Sequence, residues 1–481
     1  MTTKIDIKTL VDAQREAHKN DPFPSIEVRS DRIRRLIKML AENDKKICDC
    51  LMADFGNRPE ITTRMAEILG TISTLKYALE NIEEWSKPDI RVTPPPAGPA
   101  GAVSEVQYMP LGSVGVISPW NLPINLSFGV MGAIFAAGNR IVLKPSEVTE
   151  RTSLLIQEMI EANFDTTELA VVLGGADVAA EFSAAPFNHL MFTGSSAVGR
   201  KVAMAAAENL VPCTLELGGK NSIIVSKTAD ISDIVKKIMM IRMVNGGQIC
   251  LGPDVLFVPE VMEDELIAKC TEIANTFFPQ MQSDPDYGQI ISDRQVDRLK
   301  GLLAEVEEKQ AGEVVYLFDP EQVPLARRFP PVIVKSPASD TRLMKEEVFG
   351  PIISVFPYSN YDDVITRLNS DENLREPLAL YYFGDDQLEM DKLRYQTQSG
   401  GLCFNTLAAH YNVEDLPFGG IGRSGMGNYH GIEGFRTFSH ARAVYTQCKQ
   451  DFLAPMLPPH SEQIKAHVAA MVQGVLGGSH D

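Results

Sequence analysis

The chain has 481 residues, 44% of them hydrophobic; it is long enough to bury a sizeable core and longer than one compact unit usually runs, so two or three domains are expected. With a formal net charge of -18 it would be repelled on average by a nucleic-acid backbone or an anionic membrane surface, so any anionic ligand must be held by a local site. The seven scattered cysteines form no CxxC pair, which argues against a disulfide scaffold and a structural zinc site and for reduced thiols.

The opening stretch "MTTKIDIKTLVDAQREAHKND" has no apolar core of signal-peptide type, and no segment reaches the roughly 18 uninterrupted apolar residues that span a bilayer. A cytosolic location is the expectation. Residues 5 to 86 place apolar side chains at helical spacing and read as a helical scaffold. "TPPPAGPAG" (93 to 101) is too rich in proline and glycine for a helix or a central strand, and "AVSEVQYMPLGSVGVISPW" then alternates as strands do. From there strand and helix patterns take turns: "GSVGVISP", the small-residue helix "GVMGAIFAAGN", "RIVLKPS", a helix from about Thr152, "LAVVLGG" and "HLMFTGS". That alternation predicts a doubly wound, Rossmann-like parallel sheet with covering helices, an arrangement used for nucleotides. "TLELGGKNSIIVSK" opens a second α/β series that runs to about residue 420.

Several side chains in these segments could carry chemistry. Residues 230 to 245 form an amphipathic helical stripe with Asp230 as N-cap, and Gly246 and Gly247 end it. Cys250 in "GGQICLGPD" therefore stands just past a helix C-terminus, where the dipole does not help a thiol ionise; it is either an inert core cysteine or a nucleophile activated from elsewhere. Lys144, at the end of an apolar strand, is either a solvated lysine or a ligand group at the crevice of a doubly wound sheet, and Glu147 either favours the following helix start or meets a ribose hydroxyl. "FTGSSAVGR" sets Gly194 and Gly199 about a strand-to-helix turn; it is neither GxGxxG nor a P-loop, yet its amides and the helix dipole could face a phosphate. Glu216, within an apolar strand, is a general-base candidate or a structural partner of Lys220. Glu347 in "EEVFGP" is equally open, and Asn121, between Trp120 and a leucine-proline pair in "SPWNLP", is a turn former or an oxyanion donor.

Taken in order, "SPWNLP", "LKPSE", "FTGSSAVG", "LELGGK", "GGQIC", "EEVFGP" and "LPFGGIGRSGMG", spread over residues 118 to 427, resemble the aldehyde dehydrogenase superfamily, and the C-terminal motif is most similar to the coniferyl aldehyde and class 3 enzymes. The resemblance implies NAD(P)-dependent oxidation of an aldehyde to a carboxylic acid, with Cys250 as nucleophile, Glu216 as the base that activates water and Asn121 with the Cys250 amide as oxyanion donors. It also implies that Lys144 and Glu147 hold the adenosine ribose, Ser195 and nearby amides the pyrophosphate, and Glu347 the nicotinamide ribose, with Phe349 beside that ring; Trp120, Gly194 and Gly199 join this cofactor set. Glu147 favours NAD over NADP, because a carboxylate repels a 2'-phosphate. Around the thiol, Gly246 and Gly252 depart from the family's usual "AGQTC" followed by "AP", and this bears on the substrate.

The same resemblance implies an NAD-binding domain at 1–92 and 108–217, a small β oligomerisation arm at 93–107 and 435–450, a catalytic domain at 218–420, and a C-terminal helix and tail at 451–481. A homodimer is expected, since edge strands of this sort pair between subunits. Ile464, Val468, Met471, Val472 and Val475 lie on one face of the last helix, expected to pack on the surface or to cover a substrate funnel; with only one lysine, the helix is not expected to associate stably with a membrane. The substrate expected is an aromatic or phenylpropenoid aldehyde such as coniferyl aldehyde, with medium or long aliphatic aldehydes as the alternative. A cysteine-dependent esterase or acyl transferase without redox chemistry is a reading from a different class. A non-catalytic scaffold has no need of Asn121, Glu216 and Cys250 in register.

Overall fold

The computed structural model describes residues 6–281, 283–318 and 327–477. The chain divides into two compact units, a larger one running to Trp85 and from Pro110 to Ser439, and a smaller one formed by Ser86–Met109 and the segment from His440 onward.

The larger unit begins with helices at Ile7–Asn20, Ile26–Glu42, Asp44–Phe55 and Gly70–Trp85. Asp6 and Ser25 cap the first two by accepting from the amides of Lys8 and Val28, which satisfies donors that a helix start leaves open. Ile33, Leu36 and Leu40 line the buried face of the second helix at helical spacing, where Arg29 and Arg32 are buried as well and bond to backbone carbonyls of the sheet domain.

The strands follow in chain order. Strands β1 (Asp89–Arg91) and β2 (Val103–Pro110) come first. Next are β3 (Ser113–Ile117), β4 (Arg140–Lys144), β5 (Leu169–Val171), β6 (His189–Thr193) and β7 (Cys213–Glu216). Then come β8 (Ser222–Val225), β9 (Val255–Pro259), β10 (Glu313–Tyr316), β11 (Val332–Lys335), β12 (Ile352–Tyr358), β13 (Ala379–Phe383) and β14 (Gly401–Phe404). Two late strands, β15 (Gly425–Met426) and β16 (Ser439–Thr446), complete the set.

One six-stranded sheet has the order β15-β7-β6-β3-β4-β5, parallel from β7 to β5, with β15 antiparallel to β7 at its edge. The chain winds outward from β3 through β4 to β5, then crosses to the other side of β3 for β6 and β7. Strand order thus reverses between β3 and β6, and ligands of doubly wound sheets sit outside the carboxyl ends of the strands at such a point. The helix Asn125–Ala136 between β3 and β4 is buried on every side, as its unbroken run of small and apolar residues requires.

A seven-stranded sheet has the order β10-β11-β12-β9-β8-β13-β14, parallel except for β10. Its strands are near-continuous apolar runs because helices cover both faces. The smaller unit is built on the three-stranded sheet β1-β2-β16 and also carries the helix Glu462–Gly477. Val468, Met471, Val472 and Val475 of that helix are exposed.

Candidate active site

Four of the segments singled out in the sequence leave the six-stranded sheet at its carboxyl edge: Trp120 and Asn121 follow β3, Lys144 ends β4, Gly194 and Ser195 follow β6, and Glu216 ends β7. Parallel pairing puts Thr193 opposite Glu216 and Ile117 opposite Lys144 and Phe192, so these positions are held in register by the backbone ladder. From the seven-stranded sheet come the segments that precede its strands: Lys220 and Asn221 before β8, Cys250 to Asp254 before β9, and Glu347 to Phe349 before β12. The amino edge of one sheet thus supplies a thiol to the carboxyl edge of the other.

The loop that presents Cys250 is fixed by backbone conformation. The helix Ile231–Met243, N-capped by Asp230 as expected, is followed by a tight turn at Val244–Gly247 in which Asn245, Gly246 and Gly247 all take positive φ. Glycine meets that requirement without strain, which explains the glycine pair. Asn221 donates from Nδ2 to the carbonyls of Cys250 (2.6 Å) and Gly252 (3.2 Å), while its Oδ1 accepts from the Ala379 amide. A Cβ at position 252 would lie 3.0 Å from the Ile249 carbonyl oxygen and 3.1 Å from Arg242 Nη1, so Gly252 is where the loop closes tightly on its neighbours.

Cys250 is half-buried, and all seven cysteines are free thiols. Desolvation, then the nearby Glu347 and Glu216 carboxyls, push its pKa up to about 12, so the resting group is a neutral thiol. Glu216 is 3% exposed and neither of its oxygens has a hydrogen-bond partner; burial alone holds its pKa well above the usual carboxylate range. It is not paired with Lys220, whose ammonium sits 3.2 Å from Asp254 Oδ2 and donates to the Leu343 and Glu346 carbonyls. The side-chain amide of Asn121, itself buried, donates to the Gln248 carbonyl at 3.1 Å, two residues before the thiol.

Glu347 is raised to about 8 by burial and by the Asp254 charge, against the opposing pull of Lys220 and Arg298. Its carboxylate lies over Gly218: a Cβ there would be 1.8 Å from Oε2, so the glycine clears the space the acid occupies. Phe349 packs edge-on against Trp120 with centroids 5.2 Å apart. Lys144 is buried, not solvated, and its ammonium reaches the Pro145 carbonyl and Glu147 Oε2, both at 3.2 Å. Glu147 and Ser195 are exposed. Ser195 precedes the twelve-residue helix Ser196–Ala207 in extended conformation and makes no side-chain cap, which leaves first-turn amides open, while Gly199 lets that helix close onto Leu217.

Several residues outside the sequence prediction complete the site. Asp254 bridges Lys220 and Arg242 and accepts from the Val348 amide at 2.7 Å, tying the thiol loop to the Glu347 segment. Tyr411 and Tyr429 share a cluster of rings with Phe418 and His430, centroids 4.7 to 5.6 Å apart, and both phenols lie within electrostatic reach of the Cys250 side chain. Asp254 had a signal, a charge placed directly before an apolar strand; the two tyrosines had none, since sequence spacing does not reveal that loops near 411 and 429 converge on residue 250.

A doubly wound sheet whose switch point faces a neutral thiol, two buried carboxyls and a buried amide defines an α/β enzyme with a cysteine in its site. The family model "Aldehyde dehydrogenase family" matches residues 1–444, and the chain belongs to the aldehyde dehydrogenase family. It is 43% identical over 441 residues to the coniferyl aldehyde dehydrogenase of Pseudomonas sp. strain HR199, covering 91% of this chain and 90% of that protein. Among solved structures, the substrate-bound state of Staphylococcus aureus AldH superposes with a TM-score of 0.89 at 30% identity, covering 97% of this chain and all of that one. The Mycobacterium tuberculosis aldehyde dehydrogenase complexed with NAD+ gives 0.82 at 29% identity, over 94% and 92% of the two chains.

Proposed function

We propose that this chain oxidises an aromatic aldehyde of the phenylpropenoid type, such as coniferyl aldehyde, to its carboxylic acid with NAD as hydride acceptor. The observation that carries the reading is the neutral Cys250 thiol in the field of Glu216 and Glu347, with the Asn121 amide held two residues away. The cluster Tyr411, Phe418, Tyr429 and His430 beside that thiol supports a flat, aromatic substrate, because ring edges and faces pair well at these separations. The similarity to a relative named for coniferyl aldehyde points the same way.

The residues present fit a dinucleotide: an open helix start after β6, a buried cation at the end of β4 with an exposed carboxylate beside it, and a carboxyl lodged over Gly218. Lys144 and Glu147 would hold the adenosine ribose, Ser195 and its neighbouring amides the pyrophosphate, and Glu347 the nicotinamide ribose, with Trp120 and Phe349 beside the ring. Gly194 and Gly199 let backbone approach closely. When bound, the nicotinamide supplies a positive charge and the acceptor for one hydride. Cys250 gives up its proton to Glu216 or to water linked to it, and its sulfur adds to the aldehyde carbon. Asn121 Nδ2 and the Cys250 amide hold the oxyanion of the resulting thiohemiacetal. Hydride loss leaves a thioester; once Glu216 has passed the first proton to solvent, it takes a proton from the attacking water, the C–S bond breaks, and that proton returns to the sulfur as carboxylic acid and thiol are released. The unpartnered oxygens of Glu216 suit a group that must accept a proton in turn from two different donors.

The arm sheet β1-β2-β16 presents a largely exposed β16, and a homodimer built on such edges is part of the proposal. In its domain plan, residues 1–92 and 108–217 bind the dinucleotide, 218–420 carry the thiol, and 93–107 with 435–450 form the arm. Among the described residues no helix is long and apolar enough to cross a membrane.

The test is NADH formation with coniferyl aldehyde, a long aliphatic aldehyde and a short one, with NAD and with NADP. The expected result is the highest kcat/KM for coniferyl aldehyde with NAD, and loss of turnover in Cys250→Ser. Ester hydrolysis without NADH from any aldehyde would assign the chain to the esterase class instead.

A further inference from the structure

Between Glu60–Thr62 and Gly70–Trp85 the helix widens into a π-turn at Thr63–Leu69. Such turns insert one extra residue and are frequent at functional sites. Here the turn aims Glu67, which is completely buried, at the start of the helix that follows β3: its Oε2 accepts from the amides of Ile124 (3.0 Å) and Asn125 (2.8 Å). Its Oε1 lies 2.9 Å from Nη2 of Arg58, equally buried, and Arg58 Nη1 donates at 2.9 Å to the backbone carbonyl of Asn121. The same carbonyl accepts from Asn245 Nδ2 at 3.2 Å, on the turn that leads to the thiol. Asn125 donates to Thr71, one helical turn beyond Glu67, and accepts from the Tyr411 hydroxyl.

The segment from Asn121 to Asn125 is therefore clasped at both ends by one ion pair that no water reaches. A buried ion pair is no economical source of stability, since two well-packed apolar residues hold a fold as firmly. What apolar residues could not do is aim one donor at the Asn121 carbonyl and one oxygen at the two amides of Ile124 and Asn125. We propose that Arg58 and Glu67 are positioning residues that hold the Asn121 turn so that its side-chain amide faces the oxyanion formed at Cys250. The inference rests on the role proposed above for Asn121.

The experiment is a mutant cycle on the full-length protein. Arg58→Met/Glu67→Gln removes both charges while leaving an amide oxygen to accept from Ile124 and Asn125; it is compared with wild type, Asn121→Ala and the triple variant. Single-turnover NADH formation at saturating NAD is the readout, with the NAD dissociation constant and thermal midpoint measured alongside. Expected are a rate lowered about 10- to 100-fold in the pair variant, an NAD affinity within a factor of about two of wild type, and a drop of roughly 100-fold in Asn121→Ala. The decisive result is that the pair substitution slows the Asn121→Ala background by less than about three-fold, because a residue that acts through Asn121 has nothing left to position. An equal slowing in both backgrounds, or a normal rate in the pair variant while Asn121→Ala is slow, overturns the proposal. A normal rate in Asn121→Ala alone overturns the oxyanion role itself, which is a separate outcome. Where the pair variant is insoluble, Arg58→Lys keeps the charge but cannot span both the Glu67 carboxylate and the Asn121 carbonyl, and it is judged by the same cycle.

Discussion

Glu347 is a carboxyl whose folded environment opposes its own ionisation. Burial and the Asp254 charge raise it to about 8 from an ordinary value of about 4.5, so the folded state holds a proton that the unfolded chain releases between those values. Its contribution to stability is complete below about pH 4.5 and is lost as pH rises through 8. In Glu347→Gln that loss is absent. Urea unfolding of the ligand-free protein at pH 5, 6.5 and 8 should therefore show the variant gaining on wild type, by at most about 1.4 kcal/mol per pH unit, with the difference flat above pH 8. A difference independent of pH would mean that the carboxyl is already ionised in the folded state. Asp254, buried beside it in the same loop cluster, sits between the two cations Lys220 and Arg242.

At the level of elements, the thiol loop depends on a helix that stops abruptly. Gly246 has φ +62°, and a Cβ there would lie 3.2 Å from Ile290, so Gly246→Ala carries both left-handed strain and a tight contact. The expected loss is about 1 to 2 kcal/mol in urea unfolding, with a larger proportional loss of kcat than of NAD affinity, because the loop that tilts is the one bearing Cys250. An unchanged unfolding midpoint would show that the turn relaxes freely. The strands and helices around this loop were legible in the sequence, since alternation of period two and apolar stripes of helical spacing are local properties. So were Asn121, Glu216 and Cys250, each within a recognisable motif. Lys144 was ambiguous until β4 was seen to be buried along its whole length. Arg58, Glu67 and Tyr411 were invisible because each acts on a segment more than fifty residues away, and nothing in "GNRPE" or "RMAEIL" shows that the two charges meet.

For the molecule as a whole, acid should be felt well before the carboxylates of the surface are neutralised. His189, buried against Thr214 in the six-stranded sheet, and His430, buried among rings, are held neutral by burial, at about 4 and about 3. Because the unfolded chain binds these protons near pH 6.5, stability is full above that value and falls as pH drops through the folded values, each histidine contributing up to about 1.4 kcal/mol per pH unit. Urea midpoints from pH 7.5 down to 5 should decline in wild type and decline less steeply in His189→Gln; parallel curves would remove His189 from the account. A last consequence follows from β15, which pairs its Gly425 with Glu216. A ribosome has already delivered all five parallel strands of that sheet when Glu216 emerges, yet the edge beside the acid stays open until the chain has grown by roughly two hundred more residues, a wait of about ten seconds or longer. The nascent protein thus carries its finished-looking sheet through synthesis without the strand that closes it at Glu216, and activity is expected only at the end of translation.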